Sequence, residues 1–316
     1  MRSTRSPDAI AAPDARWAQP VKTRPRPTLG AVAIAFNEER DLGGFLDNLE
    51  GWVDEIVIVD DGSTDRTEAI ARDAGPHVRF LRSPRRRGEY FSHQRNKGIA
   101  AAKSDWLLHM DVDERATPEL ALEIRRAIER TDRDGYRFRR LNHFLHRPLS
   151  HGGWGDWNLV HLARRRALSF GGMFHEDCLV DAPPERIGQL SNRMIHLNEE
   201  SFEKRLRKSG AYLEEAAARV ERRGRPPGWT DIAGRPVREF LWKYLARGGF
   251  RDGVPGLIAA MHSATAVFRA NALVWDRRNR IEREALEAQV AALWTAKLRA
   301  EASARRETPG AGRQRA

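Results

Sequence analysis

The chain has one cysteine, Cys178, among 316 residues. No intramolecular disulfide can form, so the fold must rest on a packed core, and a reducing cytoplasm is the simpler setting. No run of about 18 apolar residues occurs, so no transmembrane helix is expected. The start of the chain lacks the apolar block of a secretory leader. Residues 1–27 instead mix Pro, Arg, Ala and Ser without periodicity and are expected to be a disordered basic tail; residues 305–316 are expected to fray. Zinc-type Cys/His spacing, internal repeats and a useful heptad array are also missing, which excludes zinc modules, solenoids and coiled coils.

What is present is an apolar fraction of 41%, enough for a sizeable core, and a net charge of +11. The charge is uneven: residues 201–280 hold 17 Lys and Arg against 8 Asp and Glu. Such a block suits an anionic lipid surface, an acidic substrate, nucleic acid or simply a solvated helix face.

Apolar runs alternate with helical stretches in the first half. Ala31 to Phe36, Glu55 to Val59, Val78 to Leu81 and Trp106 to Met110 read as strands. Helices are expected from Asp41 to Gly51, Thr67 to Arg72, Phe91 to Lys103, and from Pro118 after a Thr117 cap. Alternating strands and helices predict an α/β fold with a mostly parallel sheet flanked by helices. Tyr136 to Phe144 and Asn158 to Leu162 follow as strands around a Gly- and Trp-rich loop, residues 151–157. Beyond Ser201 four helices are expected: one marked by Phe202, Leu206, Tyr212 and Leu213, then Val237 to Leu245, Leu257 to Val274, and Ile281 to about Ala300.

The fourth strand ends in Asp111-Val112-Asp113-Glu114. Ligands of open α/β sheets bind at carboxyl strand ends. In an extended chain Asp111 and Asp113 point the same way, and two convergent carboxylates suit a hard cation, Mn²⁺ or Mg²⁺, that completes its shell with water and substrate phosphates; a solvated acidic turn is the alternative. Trp154 and Trp157 offer ring faces to an acceptor sugar, with burial in a core as the equal alternative. Arg85-Arg86-Arg87 reads as a solvated basic loop, with phosphate binding as the alternative.

Together, Ala35-Phe36-Asn37-Glu38-Glu39, Val59-Asp60-Asp61-Gly62-Ser63-Thr64-Asp65, Gln94-Arg95-Asn96-Lys97-Gly98, Asp111-Val112-Asp113-Glu114 and Phe174-His175-Glu176 resemble the family 2 glycosyltransferases of the GT-A fold. The resemblance covers residues 28–200. The segments from Ser201 to Tyr212 and from Gly249 to Gly253 are more loosely similar to the helical end of bacterial lipopolysaccharide core glycosyltransferases. This implies a nucleotide-sugar-binding catalytic domain over residues 28–200 and a helical extension over residues 201–304. Asn37, Glu38, Asp60, Asp61, Gln94, Asn96, Lys97 and Asp111 would bind the nucleotide sugar, and Asp111 and Asp113 the metal. Glu176 would be the catalytic base, with Asp177 open as the alternative and His175 as a phosphate or metal partner.

The implied activity is inverting transfer of a hexose from a nucleotide-diphosphate sugar, a UDP-sugar by preference, to a glycan or glycolipid acceptor of the cell envelope. No nucleic acid partner is expected. The alternative is a catalytically silent sugar- or nucleic-acid-binding relative that uses the basic surface. A dehalogenase-type phosphatase is disfavoured by Arg115 two residues past Asp113, and a nucleotidyltransferase by Asn37-Glu38-Glu39 where a Gly-rich loop belongs. The protein would be cytoplasmic and peripheral to the inner face of the cytoplasmic membrane. Val237, Phe240, Leu241, Tyr244 and Leu245 would supply an apolar face there, with Arg238, Lys243 and Arg247 beside it, the equal alternative being that this face packs on the catalytic domain. The run from Leu257 to Met261, interrupted by His262 and Ser263, is too short on this reading to span a bilayer.

Overall fold

The computed structural model describes residues 26–172, 177–199 and 201–307. Two compact units emerge: residues up to Phe138 with Leu159–Asn192, and Arg139–Asn158 with the chain from Arg193 onward.

In the first unit, β1 (Leu29–Ala35), β2 (Glu55–Asp60), β3 (Val78–Arg82) and β4 (Trp106–His109) are the four expected strands. β1 pairs in parallel with both β2 and β4, and β2 with β3. Ile56, Val57, Ile58 and Val59 are fully buried, as strands covered on both faces require. The helices α1 (Leu42–Leu49), α2 (Thr67–Asp73), α3 (Phe91–Ala101) and α4 (Pro118–Ala127) follow in turn. The Thr117 hydroxyl accepts the Leu120 N–H at 3.2 Å and Pro118 opens α4, as the cap pattern predicts.

The sheet continues through β5 (Glu114–Ala116), β6 (Gly135–Phe144), β7 (Arg147–Leu149), β8 (Asn158–Arg164) and β11 (Ile187–Glu199), in the order β3-β2-β1-β4-β8-β6-β11-β5, with β7 on β6. β4 meets β8 antiparallel, so the sheet is mixed. β9 (Leu168–Gly171) and β10 (Asp177–Val180) form a separate antiparallel pair.

The second unit is mostly helical: α5 (Phe202–Ala211), α6 (Leu213–Glu221), α7 (Arg235–Leu241), α8 (Gly253–Asn279) and α9 (Arg283–Glu307). Ala217 and Val220 of α6 pack on Ala270 and Val274 of α8. Four details depart from expectation. The first predicted helix breaks at Tyr212, just after Gly210, a poor helix former. The second ends at Leu241 and continues as a π turn through Ala246. α9 runs on to Glu307. Most consequentially, helix Gly249–Asn279 is, by length and composition alone, long and apolar enough to cross a bilayer. His262 does not interrupt it, because its side chain is buried in the protein and meets the Phe202 ring edge-on at 6.0 Å.

Candidate active site

The acidic residues lie at the carboxyl ends of the parallel strands, as their sequence places them. Beyond β4 the chain does not stay extended. The Glu114 N–H donates to the Asp111 carbonyl at 2.9 Å, and the Asp111 N–H to Glu114 Oε2 at 2.9 Å, making a closed turn. Asp111 and Asp113 therefore share a turn and not one face of a strand. Arg115 clasps it, donating through Nη1 to the Val112 and Glu114 carbonyls and through Nη2 to the Asp41 carbonyl, at 2.7 to 2.9 Å. Burial pushes the Arg115 pKa down, and the charges of Asp41, Asp113 and Asp47 oppose that shift.

α3 ties this turn to the other loops, residue by residue. Gln94 Nε2 donates to Asp61 Oδ1 at 3.1 Å and to the Ser83 carbonyl at 2.5 Å. Both partners are acceptors, which fixes the amide's orientation and leaves the buried Oε1 without a partner among the described residues. Arg95 Nη2 donates to Asp111 Oδ1 at 2.6 Å, with its guanidinium 5.3 Å from the Phe170 ring centroid. Asn96 exchanges two hydrogen bonds with the Phe170 backbone, both 2.9 Å, fixing β9. The Ser92 hydroxyl donates to the Gly172 carbonyl at 3.0 Å. Lys97 pairs with Glu89 at 2.9 Å. Gly98 lets α3 lie this close to the sheet, since a Cβ there would sit 2.4 Å from Val32 Cγ1.

The β1 and β2 loops are knitted in the same way. Asn37, at φ 57°, donates its N–H to the Ser63 hydroxyl at 2.8 Å and accepts the Thr64 N–H on Oδ1 at 2.9 Å. The Glu38 N–H donates to the Thr67 hydroxyl at 2.8 Å. Asp60 is fully buried; its carboxylate accepts the Gly62 and Ser63 N–H groups and the Ser63 hydroxyl. Asp61 takes the Arg85 N–H at 2.7 Å and Arg85 Nε at 2.6 Å, so Arg85, though exposed, also anchors the loop.

Asp177 opens β10 as an exposed residue opposite Gly171. His175 and Glu176, in the connection between β9 and β10, lie outside the described residues. In the second unit, Trp154 is half-buried against Phe144 at 5.8 Å, within that unit's core. Trp157 is 42% exposed and carries the Arg140 guanidinium 4.3 Å above its ring.

No cluster of three or more His, Cys, Asp or Glu suited to a metal occurs among the described residues. Two carboxylates on one turn fit a hard cation that takes one or two protein oxygens and fills its shell with water and phosphate oxygens. Sequence reasoning passed over Arg95, Arg115 and Ser63. The available signal for Arg95 was a cation inside a helix facing the sheet, between two amides.

The mixed sheet with acidic loops at the carboxyl ends of its parallel strands, flanked by helices, is the GT-A arrangement. Residues 31–178 match the model of glycosyl transferase family 2, a segment just under half of the chain. It is 28% identical over 262 residues to the lipopolysaccharide core biosynthesis glycosyltransferase LpsC of Rhizobium meliloti (strain 1021), across 80% of this chain and 94% of that one. It is 40% identical over 113 residues to the succinoglycan biosynthesis protein ExoO of the same strain, across 34% and 31%. Among solved structures, glucosyl-3-phosphoglycerate synthase from Mycobacterium tuberculosis, in complex with Mn²⁺, UDP-glucose and phosphoglyceric acid, gives a TM-score of 0.41 at 17% identity, covering 56% of this chain and 74% of that one.

Proposed function

We propose that the protein is an inverting, metal-dependent hexosyltransferase acting on a UDP-sugar and on an anionic glycan or glycolipid acceptor in lipopolysaccharide core or envelope polysaccharide synthesis. The observation that carries this reading is α3, whose Gln94, Arg95 and Asn96 reach the Asp61 loop, the Asp111 turn and the β9 strand in succession. Nucleotide loop, metal turn and the β9 strand that precedes the proposed base in sequence are thereby held by one helix.

On this reading residues 28–200 form the catalytic domain and residues 201–304 the helical extension. Asn37, Glu38, Asp60, Asp61, Gln94, Asn96 and Lys97 shape the nucleotide pocket. Asp111 and Asp113 hold Mn²⁺ or Mg²⁺, which when bound offsets the charge of the departing diphosphate. The acceptor hydroxyl attacks the anomeric carbon from the face opposite the diphosphate, the carbon–oxygen bond to the diphosphate breaks, and Glu176 takes the hydroxyl proton. Asp177 is the alternative base, and His175 contacts a phosphate. Trp157, partly exposed, is the better placed of the two tryptophans to meet an acceptor ring. Contact with the inner face of the cytoplasmic membrane is peripheral and made by the helical extension.

The test is a screen of nucleotide sugars for Mn²⁺-dependent transfer or hydrolysis, followed by three variants. Asp113→Ala should lose metal-dependent nucleotide-diphosphate binding without unfolding. Glu176→Gln should retain donor binding while turnover falls by about 10²-fold or more. Asp177→Asn should do less. Unchanged turnover in both carboxylate variants removes the base from this segment, and unchanged metal-dependent affinity in Asp113→Ala removes the metal assignment.

A further inference from the structure

A groove of about 490 Å³ in the first unit is lined by Arg126, Arg130 and Arg133, with Tyr136, Gly188 and Leu190 among its other walls. It is remote from the acidic turn. Arg125, beside it on α4, donates to Asp54 Oδ2 at 2.9 Å, and Asp54 immediately precedes β2. The groove therefore lies at the amino ends of the parallel strands, whereas Asp61 and Asp111 follow their carboxyl ends.

Its charges are not balanced internally. Arg126 is exposed and makes no hydrogen bond or ion pair among the described residues. Arg130 is forked onto Asp132 at 3.1 and 2.9 Å, but both partners are about half exposed, and such surface pairs are weak and exchangeable. Arg133 donates through Nη1 to the Glu185 carbonyl at 2.7 Å and lies 3.6 Å from Asp132. Asp132 is not itself a lining residue, and the acid that does line the groove, Glu123, accepts the Ser191 and Asn192 N–H groups and an Asn192 Nδ2 hydrogen at 2.8 to 2.9 Å, so its oxygens are spent on β11. Three guanidinium groups thus share the groove with one fully committed carboxylate.

The floor is apolar and fixed. The Tyr136 ring is buried, its hydroxyl donating to the Ala127 carbonyl at 2.7 Å, and Gly188 packs on the ring so closely that a Cβ would stand 2.5 Å from Cε1. Planar guanidinium forks match the oxygens of a phosphoryl group in pairs, and the volume suits a small molecule. We infer that this groove is a second anion site that binds a phosphoryl-bearing ligand through Arg126, Arg130 and Arg133, separate from the donor site.

The probe is pyrophosphate, titrated calorimetrically into the full chain at low salt and without divalent cations. Wild-type protein should show saturable binding. Arg126→Gln/Arg130→Gln/Arg133→Gln should weaken it about tenfold or more, whereas the charge-matched control Arg283→Gln/Lys297→Gln/Arg299→Gln on exposed α9 should not. Arg126→Gln alone removes an unpartnered surface side chain, keeps the fold and should weaken binding several-fold. Equal affinity in the groove triple variant and wild type, or equal losses in both triple variants, overturns the site and leaves only net charge. Vesicles identify the source of the phosphoryl group: loss of anionic-vesicle binding in the groove variant indicates a lipid headgroup, and retention indicates a soluble phosphate.

Discussion

Arg95, 8% exposed on α3, donates to Asp111 Oδ1 at 2.6 Å, joining a helix that packs on the sheet to the acidic turn after β4. The Asp111 side chain is itself 39% exposed. A buried cation thus aims a half-exposed anion, which is how a strand-end carboxylate is given one orientation before any ligand arrives.

Arg95→Met keeps length and apolar contact with Phe170 but cannot donate. It should cost about 1–3 kcal/mol in Mn²⁺-dependent UDP affinity, about tenfold or more, while near-UV circular dichroism stays native. Calorimetry giving wild-type affinity for this variant would show that Asp111 is oriented by its turn alone.

Gly98→Ala should destabilise the first unit by about 1–3 kcal/mol, because the new methyl must displace Val32 or lift α3 from the sheet. Gln94, Arg95 and Asn96 ride on the same helix, so donor affinity should fall together with the urea midpoint. A variant with normal stability and normal affinity would mean that the helix shifts without disturbing its three ties.

The parallel half of the fold was legible because β1, β2 and β4 are short buried apolar runs that give way to acidic or amide residues, and a strand buried on both faces leaves that trace. Of the antiparallel remainder, β6 and β8 were expected over Tyr136 to Phe144 and Asn158 to Leu162, whereas β11 was not. β11 contains Gly188, Asn192 and Arg193 among its 13 residues and buries only scattered positions such as Leu190, Met194 and His196, so no period of two stands out. At the site, the residue types and strand-end positions could be read from the motifs. The partners could not, because Arg95 with Asp111 and Asn96 with Phe170 are separated by 16 and 74 residues. The anchoring role of Arg85 was missed for the same reason: its partner Asp61 lies 24 residues earlier.

Cys178, half-buried against the first unit's core, has its thiol pKa pushed up to about 12 by burial, with Arg95 opposing the shift. The thiolate is the reactive form, so at pH 8 the native protein should react with Ellman's reagent about a hundredfold or more slowly than a free thiol. One equivalent should titrate after denaturation. Rapid stoichiometric labelling of native protein would show that β10 opens readily.

Asp231, 2% exposed, accepts from Arg225 at 2.6 and 2.9 Å and from Arg235 at 2.6 Å. The Arg225 hydrogen bond is the main reason its pKa is held below the ordinary carboxylate value; burial opposes it, and the Gly228 N–H and Arg235 assist. A folded-state pKa below the unfolded one gives stability that is complete above about pH 4 and lost as pH falls through the folded value. The second unit's melting temperature should therefore hold steady from pH 7 to about 4 and drop below it. Asp231→Asn should lower it by about 1–3 kcal/mol equivalent at pH 7 and flatten the acid limb. By contrast, Asp132, held at about 2 by Arg130, belongs to a surface pair about half exposed on both sides, and Asp132→Asn should leave the melting temperature unchanged.

The final prediction concerns the helical extension. Phe240 and Tyr244 are half-buried and stacked at 5.2 Å, so they serve packing, but Val237, Leu241 and Leu245 stay exposed at helical spacing beside Trp242. Val254, Leu257, Met261, Phe268 and Trp275 continue an exposed apolar stripe along α8. Surfaces of this extent on a soluble chain normally have something to cover them. Of the cations named from sequence, Lys243 donates to the Ser263 hydroxyl and Arg247 pairs with Asp156, while Arg238 makes no hydrogen bond or ion pair among the described residues. Apolar contact should therefore dominate over charge at this face, with each nearby Arg or Lys adding roughly 1 kcal/mol. In vesicle flotation the wild type should bind anionic vesicles more strongly than neutral ones. Leu241→Glu/Leu245→Glu, which alters two exposed positions and should leave melting unchanged, should abolish binding to both. Arg238→Gln should reduce only the anionic preference. Full binding by the double variant, or no binding by wild type at low salt, rules out membrane contact through this face.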